Sequence, residues 1–123
     1  MQPKQRKLVW EIAEDARFIV EMVGTKSEQE LVADKPIRYI FERALQNCGE
    51  AMVQLDRIDP VMASRFADHR NLIGLRHRLV HSYSEIDPNL LVEYAVHLVP
   101  RLLQEAEQIL GEYLDEKPGD PSG

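Results

Sequence analysis

The sequence predicts an all-α protein, an antiparallel bundle of four to five helices. Three observations carry that expectation: apolar residues recur at three- and four-residue spacing, aspartate–proline pairs punctuate the chain, and no stretch alternates with period two. With 123 residues the chain is long enough for one core, burying roughly two thirds of its unfolded surface. A single helical domain is therefore expected over residues 1–116, and no internal repeat divides it.

The elements follow in order. From about Lys7 to Val23 there is no proline or glycine before Gly24, and Trp10, Ala13, Phe18, Val20 and Met22 form the apolar set of a first helix. Ser27 and Glu30, just ahead of Leu31 and Val32, have the spacing of a capping box for a short second helix. Asp34 then precedes Pro36, a cap followed by proline in the first turn. The strongest helix comes next, because Ile37, Ile40, Phe41, Ala44, Leu45, Cys48, Met52 and Leu55 hold helical spacing through about five turns. Gly49 lies inside it at a cost of about 1 kcal/mol relative to alanine, which predicts close approach of another helix there. Asp59-Pro60 closes the unit and opens a connection with a helical turn around Val61 to Phe66.

Asp68 is read as the cap of a helix reaching about Tyr83, with Leu72, Ile73, Leu75, Leu79 and Val80 inward. Asp87-Pro88 starts the last helix, whose apolar face runs from Leu91 to Tyr113 and is interrupted by Pro100, predicting a kink near Val96 to Pro100. The tail, residues 117–123, has no apolar residue to anchor it and is expected to be disordered.

The formal charge of −6 excludes bulk attraction to nucleic acid or anionic membranes, so a polyanion would need a local patch. Arg65, Arg70, Arg76 and Arg78 can make one, with Arg70 and Arg78 as the expected contacts to such a polyanion. The lone Cys48 allows no intrachain disulfide and falls on an apolar stripe, as core filler rather than nucleophile. The basic N-terminus is not followed by an apolar signal region, and no segment approaches the roughly 20 apolar residues of a membrane span. A cytoplasmic protein is expected.

Chemistry concentrates in the helix that carries Arg76-His77-Arg78-Leu79-Val80-His81-Ser82-Tyr83. At about 100° per residue, Leu75, Leu72, Leu79, Tyr83, Arg76, Val80 and Ile73 share one arc of roughly 160°. An arginine on such a stripe requires an anion: an internal carboxylate such as Glu42 or Glu50, or a phosphate in a cleft or between two chains. Glu50 either orients Arg76 or faces solvent. His81 points about 140° away from Arg76, so the two converge only if the helix unwinds or if two copies pool their groups. His77 and His81, with Glu85 a further turn on, also have metal-ligand spacing. Against that reading, Arg78 stands where a zinc-protease helix has its glutamate, and Arg76 and Arg78 add positive potential; no metal and no cofactor is expected. There is no phosphate-binding glycine loop and no nucleophilic serine elbow.

The run from Arg38 to Ala51, with Gly49-Glu50-Ala51, and the run Leu72 to Tyr83, with Arg-x4-His-x-Tyr, together with the downstream acidic-proline turn, resemble the HepT-like branch of the HEPN ribonucleases. The resemblance covers about Leu8 to Leu114. It implies a HEPN-like bundle that dimerises through the motif-bearing helices, so that two Arg-x4-His motifs line one cleft. It further implies a metal-independent endoribonuclease toxin of a type VII-like toxin–antitoxin system. The partner would be an MNT-type nucleotidyltransferase antitoxin that silences the toxin by transferring AMP to the motif tyrosine. On this resemblance Arg76 and His81 are catalytic, His77 and Glu50 supporting, and Tyr83 the site of AMPylation. His77 departs from the family's usual asparagine. Two other readings stand beside this one: a catalytically inactive dimer that docks the nucleotidyltransferase or RNA, and a helical metal protein using His77, His81 and Glu85.

Overall fold

A computed structural model of the chain describes residues 1–81 and 86–116, with side chains through Leu114 at the C-terminal end. The expected tail, Tyr83 and Glu85 therefore lie outside the described residues. The described chain is helical and contains no strand: α1 (Pro3–Val23), α2 (Glu28–Ala33), α3 (Lys35–Ile58), α4 (Pro60–Ala63), α5 (His69–His81), α6 (Pro88–Glu93), a π-helical turn (Tyr94–Leu98) and α7 (Val99–Glu116).

The boundaries follow from the caps. Ser27 Oγ accepts the Glu30 N–H at 3.1 Å and Glu30 returns the bond to the Ser27 N–H at 3.0 Å, the box read from the sequence. Asp34, Asp59 and Asp87 accept from the N–H groups of Ile37, Met62 and Asn89 at the starts of α3, α4 and α6, each contact worth about 1 kcal/mol. Two starts differ from expectation. Helix α1 begins at Pro3 rather than Lys7, because Gln2 and Gln5 form a reciprocal cap and Pro3 pre-sets the first helical φ. Asp68, expected to cap α5 through its side chain, instead starts it through its carbonyl, which accepts the Leu72 N–H at 2.9 Å. Its carboxylate takes both arms of Arg101, Nε at 3.0 Å and Nη2 at 2.8 Å, and so ties the start of α5 to α7.

Helices α1, α3 and α7 form the centre, α1 packing on both of the others. The buried face of α1 is Leu8, Val9, Ile12, Ala13, Ala16 and Ile19, not the aromatics: Trp10 and Phe18 are exposed. The small Ala13 and Ala16 let α3 and α7 come close, which a ranking by side-chain size does not anticipate. Cys48 is fully buried, its thiol donates to the Ile12 carbonyl, and burial pushes its pKa far up, with Asp15 adding repulsion. It is a core residue. The interruption expected at Pro100 takes the form of one widened turn, in which the Val99 N–H bonds to Tyr94 O, five residues back.

Asp15 supplies a pH-dependent test. Burial raises its carboxyl above the ordinary value, against a hydrogen bond from Asn47 and with help from Glu11 and Glu14. The folded chain then binds this proton more tightly than the unfolded chain, so stability falls as pH rises from the unfolded pKa through the folded one. Asp15→Asn is expected to melt at a higher temperature than the parent at neutral pH, and the difference should vanish in acid below the unfolded pKa. Parallel calorimetric melts across pH measure it, and a constant difference at all pH values would contradict the assignment.

Candidate functional site

Helix α5 rests on α3, and only Leu72 and Leu75 of it are fully buried. Successive residues turn about 100°, so the stripe that seats the helix leaves a flank on which Arg76, Val80 and Ile73 are followed by His77 and His81. Val80 is 40% exposed there, and His77 and His81 lie in solvent with ring centroids 4.7 Å apart.

Arg76 stands at the edge of this flank. Its Nε donates to Glu50 Oε1 at 2.5 Å, and the side chains keep 26% and 38% exposure. Of the carboxylates open to Arg76 in the sequence, Glu50 is the one it pairs with. Among the described residues no acceptor meets the two terminal nitrogens, and the side chain keeps part of its surface in solvent. The pair exists because α3 has no side chain at the preceding position. A Cβ on Gly49 would sit 2.4 Å from Arg76 Cβ and 3.1 Å from Leu72 O, far inside contact distance, so the glycine is what lets α5 approach α3 at this turn. Close approach, predicted at Gly49, is thus found opposite the motif arginine itself.

Arg70 and Arg78 are exposed and meet no carboxylate among the described residues, unlike Arg17, Arg65 and Arg101, which are paired with Glu14 and Glu107, with Glu112 and with Asp68. Arg65, expected in the basic patch, is thereby withdrawn from it: its guanidinium forks onto Glu112 at 2.9 and 2.6 Å. Within one chain the geometry keeps Arg76 and His81 on different sides of α5, about 140° apart by helical position. No group of three metal-ligating side chains is assembled among the described residues, where His77 and His81 are placed but Glu85 is not. At the start of α3, Lys35 and Arg38 stand three residues apart and put two further cations on one helical flank.

Glu50 has a testable role. The pair is partly exposed, so Glu50→Ala should change unfolding free energy by about 1 kcal/mol or less. Any activity that uses Arg76 should fall about tenfold, because the guanidinium loses its fixed orientation. Equal losses in Glu50→Ala and Glu50→Gln would show that the charge matters and that a hydrogen-bond acceptor alone does not suffice.

No helix among the described residues is long and apolar enough to cross a membrane. The pattern of the Ribonuclease HepT-like family matches residues 12–109. The chain is 29% identical to "Putative RNase MJ1380" of Methanocaldococcus jannaschii, over 83% of this chain and 93% of that protein. It is 25% identical to "Putative RNase TTE0752" of Caldanaerobacter subterraneus subsp. tengcongensis, over 80% of this chain and 88% of that protein.

Proposed function

Because the chain belongs to the Ribonuclease HepT-like family, we propose that it is a metal-independent endoribonuclease whose active cleft forms between two copies that meet along α5. The observation that carries this reading is the half-buried Arg76, held to Glu50 through Nε, on a helix seated against α3 with a histidine-rich flank left over. Facing α5 helices related by a two-fold axis would bring the Arg76 of one copy towards the His81 of the other, which no single helix can do.

The reaction follows from these groups. A neutral His81 imidazole takes the proton of an RNA 2′-hydroxyl, and the freed oxygen attacks the adjacent phosphorus. Arg76 from each copy neutralises charge gathering on the non-bridging oxygens. The bond to the 5′ oxygen breaks, that oxygen takes a proton from the imidazolium of the second His81, and the products are a 2′,3′-cyclic phosphate and a 5′-hydroxyl. DNA, without the 2′-hydroxyl, resists this route. Arg70 and Arg78 hold flanking phosphates. His77, beside Arg76 in sequence and 4.7 Å from His81 between ring centroids, contributes a donor where the family usually has an amide.

Restraint by a co-encoded MNT-type nucleotidyltransferase completes the proposal. Tyr83 would attack the α-phosphorus of ATP, pyrophosphate would leave, and the AMP left on the ring would place a fixed negative charge two residues from His81. The test joins three measurements on purified protein: RNA cleavage in excess chelator, the cyclic-phosphate end group, and a Tyr83-dependent mass gain by one AMP on co-expression. Full-length protein that cleaves nothing when freed of its partner would favour the docking module instead. Cleavage that chelator abolishes and added metal restores would favour a metal protein.

A further inference from the structure

A second concave feature lies where α3 begins. A pocket of about 230 Å³ is lined by Lys35, Arg38, Tyr39 and Glu42 of α3 and by Ile86 and Leu91. Helix α5 runs antiparallel to α3, since Gly49 abuts Leu72 and Arg76 while residues 35–42 share this pocket with Ile86, beyond the end of α5. Arg38 precedes Glu50 by 12 residues on α3, so along that axis the pocket lies about 18 Å from the Arg76–Glu50 pair, towards the end of α5 that carries His81.

Its chemistry differs from that of a solvated surface. The Arg38 Nε is buried and has no hydrogen-bond partner among the described residues, a state that native structures rarely leave uncompensated. Lys35 holds its ammonium 5.6 Å from the centroid of the Tyr39 ring, and Tyr39 is 54% exposed, so the ring is both accessible and flanked by a cation. Neither Lys35 nor Arg38 meets a carboxylate within ion-pair distance among the described residues, whereas Arg17, Arg65 and Arg101 do. Glu42 adds one carboxylate to the lining of the same pocket.

We infer that this pocket is a second RNA subsite, in which Arg38 and Lys35 take a backbone phosphate and Tyr39 stacks on the neighbouring base. The inference rests on the ribonuclease reading and extends it: substrate would be single-stranded across at least the distance from the cleavage groups to this pocket, because a paired base offers no free face to Tyr39. The centre of a protein–protein interface is depleted of charge, whereas three of the six residues lining this cavity, Lys35, Arg38 and Glu42, are charged.

The experiment uses the full chain carrying His81→Ala, so that RNA is bound and not consumed. Fluorescence anisotropy of a labelled single-stranded oligoadenylate is read over a series of salt concentrations. Adding Arg38→Gln is expected to weaken binding about tenfold and to reduce the slope of log affinity against log salt by roughly 0.7, the loss of one phosphate contact. Lys35→Gln, on an exposed side chain, should act in the same direction and guards against a folding defect at Arg38. Adding Tyr39→Leu should weaken the oligoadenylate about tenfold and leave an abasic oligomer of the same length unaffected.

Unchanged affinity and slope in both cation variants overturn the subsite, as does a parent that binds no RNA. Loss of nucleotidyltransferase binding with RNA binding intact would reassign the pocket to the protein partner. Failure of the ribonuclease reading looks different: the protein with its native His81 leaves RNA intact, yet the His81→Ala chain still binds the oligomer through Arg38.

Discussion

Replacing His81 with alanine is expected to slow RNA cleavage by about 10²- to 10⁴-fold, the range for losing a positioned general acid–base group. The loss should come without unfolding. His81 is exposed in the last turn of α5, and no core atom depends on it. In a two-copy cleft each chain supplies one histidine, so the variant removes base and acid together, and a heterodimer of native and variant chains separates the two. If each cleavage event needs both histidines, mixed dimers are as inactive as the variant. Arg76→Lys in the same assay should fall nearly as far, because a lysine keeps the charge and loses the planar fork that reaches Glu50 and a phosphate together. Full cleavage by the His81→Ala chain would end the proposed mechanism.

Gly49→Ala is the second large effect expected. The added methyl would stand 2.4 Å from Arg76 Cβ, a backbone-borne atom that no rotamer change can move away, so α5 must shift off α3. Overpacking of this kind costs typically about 1–3 kcal/mol, and for a domain of this length that lowers the melting temperature by roughly 4 °C per kcal/mol. Activity should suffer more than stability. A displacement of about 1 Å in a positioned group can lower a rate by about 10²-fold, and here the displaced group is the arginine itself. Thermal melts and cleavage rates on the same preparation separate the two losses. Melting and cleavage both unchanged would mean that the two helices have room the geometry denies them.

The contrast between Gly49 and its neighbour shows where sequence reading stops. A glycine within a strongly periodic helix is itself a signal, since its cost must be offset, and the expectation of a close helix was met at that residue. Which carboxylate Arg76 would find was open, because Glu42 and Glu50 both lie on α3 and the choice depends on the register between α3 and α5. That register is set across the chain by Gly49 and Leu72, not by any local pattern. Helices α3 and α7 were legible from their apolar spacing, and three aspartate caps from the residues that follow them. The start of α1 was not, since glutamine is a weak capping residue by propensity and acts here through a reciprocal pair. Pro100 announced an interruption, but a bend and a widened turn accommodate its missing N–H equally well in isolation. The burial of Ala95, Leu98 and Val99 on one continuous face selects the widened turn. Asp68 departs from expectation because cap and ion-pair acceptor use the same oxygens, and Arg101 lies 33 residues away.

The one-sided seating of α5 carries a consequence for how the molecule breathes. A helix supported chiefly by one neighbour, with two fully buried side chains, is expected to open early, its amide protons exchanging by local excursions that leave α1 and α3 closed. Whatever settles on the free flank, a second copy, an RNA strand or an enzyme that modifies the chain, would stiffen the segment that bears Arg76, His77 and His81. Deuterium uptake along α5 would then register each encounter separately.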